Sequence, residues 1–130
     1  MAVAALITWL ITAVGGFIML FRWMGGGGHK PGSGSRLPAS LVFAHAGLAV
    51  VGLVLWIIYL ATDTTGIAWA AFVVLLPVAL AGFTMFARWL STRTGSAPES
   101  GFPMAIVLGH GLFAATTLVL VLLAAVGVGE

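Results

Sequence analysis

The sequence predicts an all-α integral membrane protein, a bundle of four transmembrane helices made of two tandem two-helix repeats. Three observations predict this fold: the composition, four long apolar runs and an internal repeat. Of the 130 residues, 62% are hydrophobic and only 6% are charged, whereas soluble domains carry about 25% charged residues. Because so few charges cannot cover a water-facing surface, lipid is the expected solvent.

Four apolar runs are each long enough to cross a bilayer as a helix. They cover about residues 2–21, 39–61, 66–87 and 104–128. Membrane strands would be shorter and would alternate polar with apolar residues, so helices are predicted. Segments 25–35 and 91–101, which are rich in small and polar residues, are predicted loops, and residues 63–66 are a predicted tight turn.

The rare residues of the chain recur in register and indicate a duplication. The pattern G-F-x-M-x-x-R-W occurs at 16–23 and again at 82–89, and further along Pro38 and His45 match Pro103 and His110. We therefore predict a single transmembrane domain, 1–130, with repeat 1 at about 1–61 and repeat 2 at about 66–128. Each repeat has two spans, so both copies share one orientation and their pseudo-two-fold axis lies along the membrane normal.

The charged residues predict the orientation. The middle turn carries Asp63 and the far end Glu130, whereas all basic residues lie at the first and third loops: Arg22, Lys30, Arg36, Arg88 and Arg93. The positive-inside rule then places those loops in the cytoplasm and both termini outside, in the cytoplasmic membrane of a bacterium. The basic residues are thus topology signals, and no nucleic-acid partner is expected.

Aromatic residues near the span ends are expected to mark the two membrane interfaces, where tryptophan and tyrosine are enriched. Trp23 and Trp89 would mark the inner interface. Trp56, Tyr59 and Trp69 would mark the outer one.

His45 and His110 are the main candidates for function, because a histidine inside an apolar span is costly to bury. Each follows its proline by the same interval, so both should lie at the same depth on parallel helices. We expect spans two and four to meet near the bundle centre. The small neighbours Gly47, Gly109 and Gly111 leave room for a bulky flat group such as a porphyrin, whose iron commonly takes axial imidazole.

In these features the chain resembles the membrane b-type cytochromes, in which histidines from different transmembrane helices hold haem b from its two faces. The resemblance covers the four-helix plan and the Gly/Ala-flanked histidines. It implies one haem b per chain with His45 and His110 as axial ligands, since there is one intramembrane pair. It also implies electron transfer with a membrane redox partner, a quinone or a larger complex.

Other repeated residues could complete such a site. Arg22 and Arg88 end spans one and three near the histidine depth, where each could hold one haem propionate. Met19 and Met85 lie one turn deeper and could pack on the ring. Without a haem, the arginines are anchors at the inner interface and the methionines fill gaps in the packing.

Several alternatives remain open at this stage. Two histidines with two methionines could bind Cu(I), which favours soft and imidazole ligands. A cofactor-free accessory subunit of a larger complex is a third possibility, with the histidines joining helices by hydrogen bonds. His29, in a glycine-rich loop, is expected to be solvated. The spans contain no carboxylate for acid–base chemistry, so turnover by the chain alone is not expected, and a homo-oligomer is left open.

Overall fold

The structure, a computed structural model, describes residues 1–129, and this part of the chain is helical without strands. Four helices form it: α1 (Ala2–Gly25), α2 (Ala39–Thr62), α3 (Thr65–Thr92) and α4 (Met104–Ala125). All four are long and apolar enough to cross a membrane. The predicted four-helix transmembrane bundle is therefore confirmed. Glu130, expected at the outer end, lies outside the described residues.

Three helix ends differ from the predicted spans by three residues or more. α1 continues to Gly25 and α3 to Thr92, so the Arg-Trp pairs lie within the helices, with Arg22 in the last turn of α1. These pairs are polar enough to end an apolar run, but a helix requires only backbone hydrogen bonds to continue. α4 ends at Ala125, before Gly127 with its left-handed φ of 81°. A short 3₁₀ turn, Pro98–Gly101, lies in the third loop and was not predicted.

The helices form a ring of two close antiparallel pairs, α2 with α3 and α1 with α4. Each close pair combines one helix from each repeat. Between the pairs, α1 packs on α2 and α3 packs on α4 less extensively, whereas α2 and α4 face each other diagonally and their backbones are not packed closely. Spans two and four, which were expected to meet near the bundle centre, do meet there through the rings of His45 and His110, although their backbones are not packed closely.

Two hydrophobic cores lie at opposite ends of the bundle. The turn end, which holds the α2–α3 turn and the start of α1, has a core around Trp9, Trp56 and Val121. The loop end, which holds segments 26–38 and 93–103, has a smaller core around Trp23 and Val42. Between them is a middle layer around His45, His110 and the two glycines that they contact, Gly16 and Gly82, none of which belongs to either core. Both histidines lie in this layer.

The tryptophans expected at the membrane interfaces are mostly buried inside the bundle. Trp69 is exposed as expected, but Trp56 and Trp23 are only 0% and 1% exposed, and Trp89 and Tyr59 are also buried. The three buried indoles donate hydrogen bonds within the protein, so their role is to join loops and helix ends to the bundle. The acceptors of Trp23, Trp56 and Trp89 are Ser35 Oγ, the Ala2 carbonyl and the Glu99 carbonyl.

Candidate functional site

The two intramembrane histidines meet in the middle layer. His45 on α2 and His110 on α4 have ring centroids 6.3 Å apart, with the ring planes inclined at 61°. Both side chains are half-buried. The structure thus brings together the residue pair that the repeat singled out, although the backbones of the two helices are not packed closely.

Each histidine is oriented by a backbone carbonyl of its close partner helix. His45 Nδ1 lies 2.9 Å from the Val78 oxygen on α3, and His110 Nδ1 lies 2.8 Å from the Thr12 oxygen on α1. Because a carbonyl can only accept, each Nδ1 carries the proton, and Nε2 of the neutral ring keeps its lone pair. Neither Nε2 has a hydrogen-bond partner in residues 1–129. The site therefore presents two imidazole nitrogens that can each coordinate a metal.

A glycine in each repeat makes these hydrogen bonds possible. Gly16 and Gly82 follow Thr12 and Val78 by four residues, and on a helix the side chain four residues along overlies the carbonyl. A Cβ at Gly16 would lie 3.1 Å from His110 Cε1, and one at Gly82 would lie 3.3 Å from His45 Cε1. The absence of a side chain opens each carbonyl to the ring. Each repeated glycine is therefore the position against which an imidazole ring packs.

The glycines beside the histidines adjoin open space. A Cβ built at Gly47, Gly109 or Gly111 meets no other atom within 4 Å. Next to His110, a shallow apolar groove of about 170 Å³ runs between α1 and α4, with Gly15 and Gly109 in its wall. The open space at these glycines lies on the outer side of the histidine helices, so the prediction that they leave room for a porphyrin between the histidines stays a prediction.

The predicted arginines lie at the loop end, and each donates a hydrogen bond to the other repeat. Arg22 Nη1 donates to the Gly101 carbonyl at 3.5 Å, and Arg88 Nη1 donates to the Arg36 carbonyl at 3.2 Å. Both side chains are exposed, and a guanidinium has five N–H donors, so each keeps donors for an anionic group. The arginines occupy equivalent places and join each repeat to the loop of the other.

The methionines and His29 occupy less distinctive positions. Met19 is half-buried in the middle layer, whereas the half-buried Met85 packs against the loop-end core. His29 is exposed, as expected for a loop histidine. Its ring lies 6.2 Å from that of Trp23. No group of three or more His, Cys, Asp or Glu residues in the described chain could hold a bare metal ion.

Sequence reasoning missed Glu99, a fully buried carboxylate in the third loop. Its Oε1 accepts the Arg36 N–H at 2.7 Å, its Oε2 accepts the Ser35 hydroxyl at 2.9 Å, and its carbonyl accepts the Trp89 indole at 3.1 Å. One signal was available, since Glu99 is the single acidic residue in the two loops that hold the basic ones. It connects the loop before α2 with the loop before α4.

The chain matches no protein-family model, no curated protein and no solved structure. Its function is therefore inferred from the residues of the site and their geometry.

Proposed function

We propose that this chain is a membrane electron-transfer protein that binds one haem b between His45 and His110. The spacing of the two rings carries the proposal. Since metal–nitrogen bonds are about 2 Å long, two imidazoles that would hold one iron must lie close together, each with a free nitrogen lone pair. The centroids of His45 and His110 are 6.3 Å apart.

The protonation of the two rings also supports axial ligation. Metal-bound histidine usually donates its second ring N–H to a carbonyl or carboxylate, which fixes the tautomer and raises the basicity of the ligating nitrogen. Both histidines already donate Nδ1–H to a carbonyl, at equivalent positions of the two repeats. The two imidazoles are thus oriented before any ligand binds.

Three features of the bundle around the middle layer support the proposal. The hydrophobic cores at the turn end and the loop end close the bundle on either side of it. Met19 and Met85 lie on α1 and α3, where they could contact the edge of the ring. At the loop end, the free donors of Arg22 and Arg88 suit the two propionates, since charge-assisted guanidinium–carboxylate bonds are strong and directional.

When bound, the haem supplies one-electron chemistry, and the protein holds and orients it. Two histidine ligands leave the iron no open position, which favours electron transfer over oxygen chemistry. We place the loop end in the cytoplasm of a bacterium because the basic residues cluster there. The site lies closer to that face, so it would exchange electrons with a quinone or a neighbouring subunit on that side.

Absorption spectroscopy of protein purified from haem-replete cells tests the proposal. We expect reduced-minus-oxidised spectra with a Soret band and sharp α and β bands, which disappear in both His45→Ala and His110→Ala. His29→Ala, in the exposed loop, is the matched control and should keep the wild-type spectrum. A colourless wild-type protein would refute haem binding, as would full haem occupancy in either single variant of the pair.

A cofactor-free structural role is the second candidate, because each histidine also connects two helices by its carbonyl hydrogen bond. In that case the chain would act as an accessory subunit, packed against a larger membrane complex. This structural role predicts that the wild-type protein is colourless. His45→Ala and His110→Ala should still lower the thermal stability in detergent, since each removes a bond between helices.

A further inference from the structure

The spacing of the two histidines depends on more than the contact between their rings. α2 and α4 meet through these rings, but their backbones are not packed closely on each other. Each histidine is instead bound within its own close pair, His45 to α3 and His110 to α1. The distance between the rings therefore depends on how one close pair is held against the other.

Glu99 makes a direct connection between the segments that lead into the two histidine helices. It lies in the 3₁₀ turn just before α4, and its carboxylate binds the Ser35 hydroxyl and the Arg36 N–H just before α2. The side chain is 0% exposed. Such a buried carboxylate with two hydrogen bonds is a rigid connection, because losing either bond would leave a polar group unsatisfied away from water.

The same connection includes the arginines. The Arg36 peptide whose N–H binds Glu99 also supplies the carbonyl that accepts Arg88 from α3. Two residues after Glu99, the Gly101 carbonyl accepts Arg22 from α1. The loop end thus holds a chain of hydrogen bonds that joins both close pairs through Glu99. The indoles of Trp23 and Trp89 add bonds to Ser35 and to the Glu99 carbonyl.

We propose that Glu99 is a positioning residue that fixes the spacing of His45 and His110 for coordination of one haem iron. This inference rests on the proposed function. Such a carboxylate occurs in repeat 2 but not in repeat 1, because the position equivalent to Glu99 in repeat 1 is Gly34, which has no side chain. A single substitution therefore removes it.

Coordination of the iron is the first readout. Wild-type protein should show a six-coordinate low-spin spectrum, whereas Glu99→Ala should shift much of the haem to a five-coordinate high-spin spectrum or lose it. Glu99→Gln should restore the low-spin spectrum, since an amide can accept one of the two bonds and donate in place of the other. Ser100→Ala is the matched control, because its hydroxyl bonds only to Ala97 within the same turn.

The spacing of the helices in haem-free protein is the second readout. The chain has no cysteine, so spin labels can be placed at Ser40→Cys and Ala105→Cys, exposed and equivalent positions in the first turns of α2 and α4. The distribution of distances between the two labels should be narrow in protein that keeps Glu99 and in the Ser100→Ala variant. It should be broad in the Glu99→Ala variant. If Glu99→Ala does not insert, Ser35→Ala, which removes the bond to Glu99 Oε2 together with the acceptor of the Trp23 indole, should also broaden the distribution.

These results separate the two proposals. An unchanged distance distribution together with a low-spin spectrum in Glu99→Ala would overturn the positioning role, as would equal broadening in Ser100→Ala. A wild-type protein without haem would overturn the proposed function and with it the assignment to iron coordination. The distance distributions would then report only whether Glu99 fixes the two helices.

Discussion

At the scale of single residues, the glycine of each G-F-x-M pattern determines where an imidazole can lie. Gly16 and Gly82 uncover the Thr12 and Val78 carbonyls, and the rings of His110 and His45 occupy the space that a Cβ would take. A histidine on one helix and a glycine on its partner therefore form one unit, and the duplication copies that unit.

Substituting these glycines should lower the stability of the bundle. In an open helix position, Gly→Ala stabilises by about 1 kcal/mol through helix propensity, but inserting a methyl group into a packed site costs about 1–3 kcal/mol. We expect Gly16→Ala, where the contact would be 3.1 Å, to be more destabilising than Gly82→Ala at 3.3 Å. Gly66→Ala, with nothing within 4 Å, is the control.

Thermal unfolding in detergent, followed by circular dichroism, measures the three variants. A Gly16→Ala protein as stable as Gly66→Ala would show that the ring moves away at no cost. In that case the repeated glycine would serve only the close approach of the helices.

The sequence could predict the histidines but not their acceptors. His45 and His110 are rare residues in apolar spans and recur in register, so their pairing was accessible from the sequence alone. The carbonyls that bind them belong to Thr12 and Val78, and any residue type supplies a carbonyl. Glu99 was missed for a related reason, because its importance comes from burial between two loops and not from its place in a motif.

At the scale of the helices, the sequence predicted the spans but not their neighbours. In lipid, helix surfaces are apolar all round, so the periodicity that marks a buried face in a soluble protein is weak. The close pairs cross the repeats, α1 with α4 and α2 with α3, although the two helices of each repeat are adjacent in the chain. Polar contacts help to distinguish the two pairs, since α1 and α4 share a threonine bond that α2 and α3 lack.

That bond gives a prediction at the same scale. The Thr117 hydroxyl on α4 lies 2.9 Å from Thr8 Oγ1 on α1 and is also bonded to Phe113 in its own helix. Polar bonds between membrane helices are worth about 0.6 kcal/mol on average. Thr117→Val should therefore lower the free energy of unfolding by about 0.6 kcal/mol.

The neighbouring Thr116 is a matched control, because its hydroxyl bonds only to Leu112 in its own helix. Thr116→Val thus removes the bond within the helix without touching the one between helices. Unfolding in mixed micelles compares the two variants with the parent protein. Equal losses in both would mean that the contact between Thr117 and Thr8 adds nothing to the pairing of α1 with α4.

At the scale of the whole molecule, the two ends of the bundle differ in chemistry. All basic residues lie at or near the loop end, whereas Asp63 occupies the turn between α2 and α3 at the opposite end. The arginines at positions 22 and 88 also take part in the hydrogen bonds that close the loop end. The charges that predict orientation are therefore part of the structure that holds the two close pairs together.

The last prediction concerns this orientation. Since short loops rich in Lys and Arg stay in the cytoplasm, the loop end should face the cytoplasm and the α2–α3 turn should face outward. Ser96 and Thr64 are exposed at the two ends, and the chain has no cysteine that would react in the background. In intact cells, a membrane-impermeant maleimide should label Thr64→Cys and leave Ser96→Cys unmodified until the membrane is permeabilised. Labelling of Ser96→Cys from outside would contradict this orientation and place the histidine layer closer to the outer face.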